Sequence, residues 1–232
     1  MAVIVPARDE AARIVATVRA VQQIPDVALV VVVDDASRDD TAALAEHSGA
    51  EVVRHERHRG KAAAMQTGAD YVGRHTAGDP PAALLFVDAD LQDSAARTAA
   101  LVEPVIAGAA DMTIAVLAPQ ASPGGGRGFV VRLARRGIER ATGWTPTQPL
   151  SGMRCLTPQA FGAARPLARG WGAEVGLSID VLRQGRTVLE VPCDLQHRVT
   201  GTDLRAQAHR AAQYRDVWLA LLTRRRWRRP RA

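Results

Sequence analysis

From Val27 to Val33 the chain is almost unbroken valine, leucine and alanine, and it then runs into Asp34-Asp35-Ala36-Ser37-Arg38-Asp39-Asp40-Thr41. A strand with one wet face alternates apolar and polar residues. A strand without polar positions must be covered on both faces, as in a parallel sheet flanked by helices. Val3-Ile4-Val5 is a second short strand, ended by Pro6, and Ala83 to Val87 is another, ending at Asp88. Ile14, Val18 and Val21 recur at helical spacing before Pro25-Asp26 breaks the helix. Thr41 to Ser48 reads as a helix that Ser37 or Asp39 can cap and Gly49 can close. Glu51 to Arg54 is a strand, His55 to Gly60 a polar loop, and Lys61 to Tyr71 a third helix. Strand and helix alternate throughout this half, which predicts an α/β fold with a doubly wound, mainly parallel sheet. Such sheets bind ligands outside the carboxyl ends of their strands. Three of those ends carry charge here: residues 6–10, 34–40 and 88–93.

The last of these has the sharpest chemistry. Asp88 and Asp90 follow a buried strand, and alternate residues of an extended chain point the same way, so both carboxylates can face one ligand. Two close anions repel unless a cation lies between them. Mg2+ or Mn2+ suits hard carboxylate oxygens and keeps sites open for substrate phosphates. The plainer alternative is an acidic turn that ends the strand. No G-x-G-x-x-G turn occurs in the first half, and Gly60-Lys61 lacks the Ser/Thr and upstream glycine of a P-loop. Lys61 is nevertheless the only lysine beside 29 arginines. At a helix start it is a natural phosphate site, or else a solvated first-turn lysine.

The second half is less periodic. Leu101 to Ala107 reads as helix and Asp111 to Val116 as strand. Ala118 to Gly128, with its triple glycine, reads as a mobile loop. Phe129 to Gly143 is a helix with Val131, Ala134 and Ile138 on one face. Gln148 to Arg154 leads into a short strand, Gly170 to Glu174 precedes a helix from Val175 to Arg183, Arg186 to Pro192 is a strand, and His197 to Thr202 is a loop. No repeat or domain-sized linker appears. Residues 1–205 are expected to form one domain, with 1–93 binding the donor and 94–205 on the acceptor side, followed by a helix and tail over 206–232.

The net charge of +6 suggests a nucleic-acid partner only superficially, because Arg224 to Ala232 alone contain six arginines. The body is close to neutral and poor in aromatics, so no nucleic acid is expected. Cys155 and Cys193 are isolated, as buried free thiols in a reducing compartment would be. No apolar run approaches the roughly 20 residues of a membrane span, and the expectation is a cytoplasmic protein. Tyr214, Val217, Trp218, Leu221 and Leu222 fall on one helical stripe directly before the arginines. An amphipathic helix of this kind suits peripheral contact with the inner face of an anionic membrane, each near-surface charge contributing about 1 kcal/mol. The alternative is a core-packed last helix with a solvated tail. Homodimerisation is left open.

The ordered set Pro6-Ala7-Arg8-Asp9-Glu10, Asp34-Asp35-Ala36-Ser37, Gly60-Lys61 and Asp88-Ala89-Asp90 resembles the family-2-type glycosyltransferases of GT-A fold. Asp88 to Gln92, Ser151-Gly152-Met153-Arg154 and Arg198-Val199-Thr200-Gly201 are similar to elements of the polyprenyl- and dolichyl-phosphate sugar synthases. Gln148-Pro149-Leu150, Gly172 to Leu177 and His197-Arg198 resemble the glucosyl-3-phosphoglycerate synthases. The chain differs at Asp9, where the family has Asn, and at Ala36, where it has Gly. Asp203 and Leu204 stand where the polyprenyl enzymes carry Ser and Lys.

The resemblance implies a metal-dependent transfer of sugar from a UDP- or GDP-linked donor. The leading acceptor is a polyprenyl phosphate. The alternatives are a small soluble acceptor such as 3-phosphoglycerate, and a non-catalytic nucleotide-binding module. Pro6, Ala7, Arg8 and Glu10 would line the nucleotide pocket, and Asp35 would read the base. Asp88, Ala89 and Asp90 would meet the diphosphate side, with Lys61 and Arg198 contacting phosphate. Asp88, Asp90 and Gln92, with His197 as a further candidate, would hold Mg2+ or Mn2+. Asp90 and Glu174 are the candidate catalytic residues. Glu174 would act as base toward an alcohol acceptor if configuration inverts, bind sugar hydroxyls if the acceptor is a phosphate, or simply occupy a helix N-terminus.

Overall fold

The computed structural model describes residues 1–76, 78–117 and 128–195, the backbone of 204–225 and the side chains of 211–225. The expected loops at 118–127 and 197–202 lie outside the described residues. Seven strands form one sheet: β1 (Ala2–Ala7), β2 (Leu29–Asp34), β3 (Glu51–Arg54), β4 (Leu84–Phe86), β5 (Met112–Leu117), β6 (Arg154–Leu156) and β7 (Val188–Cys193). Their order is β3-β2-β1-β4-β6-β5-β7. All neighbouring pairs are parallel except those of β6, which runs antiparallel to both β4 and β5.

Alternation through the central strands explains the missing polar positions. Val3, Val5, Val30, Val32 and Leu85 enter one core, with α1 (Ile14–Gln22) and the 3-10 segment Gln92–Leu101 packed over it. Ile4, Val31, Val33, Leu84 and Phe86 enter the other, covered by α3 (Lys61–His75), α6 (Pro158–Ala163) and α7 (Ala173–Arg183). Helix α2 (Thr41–His47) lies between β2 and β3 in the chain, and α4 (Glu103–Ile106) precedes β5. A third, smaller core joins α7 to α5 (Phe129–Thr142) and α8 (Leu204–Arg225) through Ala134, Ile138, Val175, Ile179 and Val217.

Several boundaries differ from expectation for local reasons. Strand β1 runs through Pro6, because alternate residues present their amides to β4 and that strand pairs only as far as Ile4 opposite Phe86. The missing N–H of proline therefore costs no ladder bond. Strand β2 starts at Leu29, since β1 begins opposite it at Ala2. Helix α3 gains a turn beyond Tyr71, held by buried Val72. The helix expected from Leu101 is replaced by the 3-10 segment and α4. Ser94 and Thr98 hydroxyls donate to carbonyls three residues back, and Pro104 offers no amide. Val130 and Leu133, rather than Val131, join Ala134 and Ile138 in the third core. On α8, Val217 is fully buried and Leu221 packs beside Gly137, whereas Tyr214, Trp218 and Leu222 stay 43–48% exposed. No described helix is long and apolar enough to cross a membrane.

Helix α3 sits close enough to the sheet that Gly68 is required. A Cβ there would lie 2.5 Å from Ile4 Cγ2 and 3.2 Å from Val33 Cγ2. Gly68→Val is expected to destabilise the fold by about 2 kcal/mol through overpacking, read as a lower midpoint in urea denaturation.

Candidate active site

The strand order places β1 between β2 and β4, so the three charged carboxyl ends lie side by side. The loops after β1 and β2 brace each other. Ser37 Oγ accepts from the Asp9 amide (2.9 Å), Asp9 Oδ1 from the Arg38 amide (2.8 Å), and Thr41 Oγ1 from the Glu10 amide (2.8 Å). Asp39 accepts from the amides of Ala11 and Thr41 and so joins the two loops. Neither Ser37, which serves the neighbouring loop, nor Asp39 is the N-cap of α2, which is Asp40 without a side-chain bond. Asp9 and Ala36, the two departures from the family pattern, both adopt left-handed backbone (φ 54° and 60°). The glycine-like conformation at position 36 persists although alanine pays a steric penalty there.

Asp35 is buried and anchors the loop between β3 and α3. Its Oδ1 meets His55 Nδ1 (2.7 Å) and the Arg59 amide (2.8 Å), and its Oδ2 meets the Gly60 amide (2.7 Å) and His58 Nδ1 (2.6 Å). Burial alone would raise its pKa. The hydrogen bonds from His55, Arg59 and Gly60 and the charge of His58 outweigh that and hold the carboxyl below its usual range. The loop so fixed delivers Lys61 to the first residue of α3.

Lys61 is the centre of the cluster. Its Nζ lies 2.5 Å from Asp88 Oδ1 and 3.5 Å from Glu174 Oε1. Burial works against the ammonium, yet the charges of Asp88 and Glu174 raise its pKa above the ordinary lysine value. Glu174 is 5% exposed in the first turn of α7, which begins two residues earlier than expected. The antiparallel pairing of β6 explains why Gly152 joins them. Phe86 pairs with Arg154, so the residues just before β6 meet those just after β4. A Cβ on Gly152 would collide with Lys61 Nζ and crowd both Asp88 oxygens at 3.0 and 3.1 Å.

Arg154 is fully buried behind this glycine. It donates from Nε to Ser151 O (2.9 Å), from Nη1 to Ser178 Oγ (2.9 Å) and from Nη2 to Pro149 O (3.3 Å). Ser178 in turn donates to Glu174 O (2.9 Å). Burial pulls the guanidinium pKa down to about 10, opposed by the charges of Glu174 and Glu190; it stays cationic at neutral pH. Gly152 and Arg154 are residues of the cluster that sequence reasoning recognised only as part of a Ser-Gly-x-Arg element, without a place in the site.

Of the expected site residues, Lys61, Asp88 and Glu174 converge. Ala89 is buried beside them in the chain and Asp90 is half-buried. Gln92 has left-handed backbone (φ 51°). Glu10 Oε2 pairs with Arg13 Nη1 (2.6 Å), whose guanidinium also feels the charge of Asp90. Arg8 is exposed beside Asp9 (3.6 Å), and Pro6 and Ala7 end β1. His197 and Arg198 lie outside the described residues. Among the described residues no three His, Cys, Asp or Glu side chains form a ready metal cage. The donor chemistry of Asp88 and Asp90 nevertheless fits a hard divalent cation, and Asp88 already binds a cation in the form of the Lys61 ammonium.

Because the Asp35 pKa is lowered on folding, its contribution is fully present above the ordinary aspartate pKa of about 4 and is lost as acidification protonates it below that value. Asp35→Asn turns an amide N–H2 toward backbone donors and is expected to cost about 2 kcal/mol near neutral pH. Thermal melts of the two proteins across pH should show a gap that is constant above pH ~5 and closes in stronger acid.

The sequence profile described as glycosyl transferase family 2 matches residues 2–148. The chain also superposes on structures of glucosyl-3-phosphoglycerate synthase from Mycobacterium tuberculosis. The complex with Mn2+, UDP and phosphoglyceric acid gives a TM-score of 0.74 at 27% identity, covering 96% of this chain and 77% of that one. The Mg2+ and UDP complex gives 0.73 at 26%, covering 96% and 78%. The complex with Mn2+, UDP-glucose and glycerol 3-phosphate gives 0.72 at 26%, covering 96% and 79%. No curated protein sequence matches the chain at a significant level. With a profile match over more than half its length and this sheet order, the chain belongs to glycosyl transferase family 2 and is a glycosyltransferase of GT-A fold.

Proposed function

We propose that this glycosyltransferase moves a hexosyl group from a UDP-sugar to a hydroxyl of a small phosphorylated acid, assisted by Mg2+ or Mn2+. The observation that carries the reading is the Lys61–Asp88–Glu174 cluster, set against Gly152 at the mouth of three adjacent strand ends. Support comes from the similar synthase, whose structures hold UDP, a divalent metal and phosphoglyceric acid. Asp88 and Asp90 would hold the metal, with Gln92 and His197 as further donors. The metal when bound supplies charge neutralisation to the diphosphate leaving group.

The chain's own residues do the rest. Lys61 and Arg198 offer cationic contacts to the diphosphate oxygens as the anomeric C–O bond breaks. Pro6, Ala7, Arg8 and Glu10 wall the nucleotide side. The four lone-pair positions of Asp35 are occupied by His55, His58, Arg59 and Gly60. For Asp35 to read the base, one partner must withdraw, and His58, with its side chain 53% exposed, is the one able to do so. Glu174, buried across Lys61 from Asp88, is placed to take the acceptor hydroxyl proton if configuration inverts, or to bind sugar hydroxyls if it is retained. Residues 1–93 then form the donor half and 94–205 the acceptor half.

A polyprenyl phosphate acceptor is the second reading, favoured by one observation. A groove of about 460 Å3 between α5 and α8 is lined by Phe129, Trp218 and Leu222 together with Arg132, Arg136 and Arg140. An apolar strip edged with arginines suits the cytoplasmic face of an anionic membrane, and the sequence of residues 226–232 adds four more arginines and a tryptophan.

Calorimetry with UDP- and GDP-sugars is expected to show binding of a UDP-sugar only with Mg2+ or Mn2+. Asp90→Ala should lower turnover by about 10²–10³-fold with an unchanged melting temperature; full metal-dependent turnover in that variant refutes the assignment. Product formation with phosphoglyceric acid, set against a short polyprenyl phosphate, decides the acceptor. Flotation with anionic liposomes should be absent if the small acceptor is right. Flotation lost on removing residues 226–232 favours the lipid reading.

A further inference from the structure

Thr17 is a polar residue on the buried face of α1, fully inaccessible and flanked by Ile14, Val18 and Val21. A threonine inside a helix ordinarily turns its hydroxyl back to the carbonyl one turn earlier. Thr17 makes a different pair of bonds. Its Oγ1 donates to Ala89 O at 2.8 Å and accepts from the Gln92 amide at 2.9 Å, across 72 and 75 residues of chain. Ala89 separates Asp88 from Asp90, and Gln92 is the residue held in left-handed backbone. One hydroxyl therefore clips both sides of the turn on which the two carboxylates stand. It uses its single proton and one lone pair, and a methyl group in its place could do neither.

Nothing else in α1 substitutes for it. Arg13, the residue that precedes α1, reaches this turn only through charge on Asp90 and is itself paired with Glu10. The 3-10 segment begins at Gln92, and its first hydroxyl bond, Ser94 to Leu91 O (2.6 Å), lies beyond the two aspartates. On the strand side the last backbone bond is Val87 N–H to Ile4 O (3.1 Å), before them. Between these two fixed points the bonds to Thr17 fall on the Asp88–Gln92 turn itself.

The geometry points to Thr17 as a positioning residue that sets the separation of the Asp88 and Asp90 carboxylates, and through it the affinity for a divalent cation with a nucleoside diphosphate. This rests on the assignment of those two aspartates as metal ligands. Residues that orient metal ligands without touching the metal typically carry a factor of 10–100 in affinity, whereas a threonine that only fills the core would leave affinity untouched.

The test compares wild type, Thr17→Val and Thr17→Ser. Mn2+ binding in the presence of UDP is followed by electron paramagnetic resonance, and exchange of the Gln92 amide by hydrogen–deuterium mass spectrometry. Thr17→Val is expected to lose about tenfold in Mn2+ affinity and to exchange the Gln92 amide faster. Its apparent metal requirement in turnover should rise while kcat at saturating metal is retained. Thr17→Ser should restore all three. Should Thr17→Val fail to fold, Thr17→Ala removes the hydroxyl without placing a methyl against the turn, and the same comparison is made with it. Unchanged Mn2+ affinity in the hydroxyl-free variant, or failure of serine to rescue, overturns the role of Thr17. Absence of Mn2+ binding by the wild type overturns the metal assignment beneath it.

Discussion

A half-buried ammonium between two carboxylates is the interaction on which the candidate site depends. Lys61 comes from α3, Asp88 from the end of β4 and Glu174 from the first turn of α7. Glu174 is the one buried charge of the three and carries the largest desolvation cost, which the neighbouring Lys61 ammonium offsets. The arrangement is geometrically demanding, because a Cβ on Gly152 would collide with Lys61 Nζ and crowd both Asp88 oxygens. The only lysine of the chain occurs there. The ammonium is thus held at Asp88, one of the two carboxylates proposed to carry a metal.

The scaffold supports this cluster from two directions. On one side Asp35 saturates its carboxylate with the loop that leads into Lys61, so the lysine is placed by a charge that does not touch it. On the other, Arg154 ties the Ser151 carbonyl and, through Ser178, the Glu174 carbonyl into one buried network. Buried polar networks are stable when every member is satisfied. Among the described residues Ser151 Oγ, next to Gly152 in the chain, is the one buried side-chain polar atom without a hydrogen-bond partner.

The two departures from the family pattern both stand at left-handed backbone positions. Asp9 and Ala36 adopt left-handed backbone, which asparagine and glycine enter more readily. The Asp9 carboxylate accepts the Arg38 amide and so ties the loops after β1 and β2 together.

Much of this was legible in the chain itself. Strands buried on both faces have no polar positions, so their apolar runs announced a mainly parallel sheet, and the acids at the strand ends marked the sheet edge where the candidate site lies. Helical spacing found Ile14, Val18 and Val21, and the glycine before a solitary lysine marked Lys61. What the sequence could not disclose was adjacency. The strand order that sets β2, β1 and β4 side by side, the reversal of β6 that lays Gly152 against Asp88, and the reach of Thr17 to residues 72 and 75 positions away are all long-range contacts. They arise because burying both faces of the sheet leaves one packing of the helices, and no local pattern of residues encodes which distant segment that packing brings near.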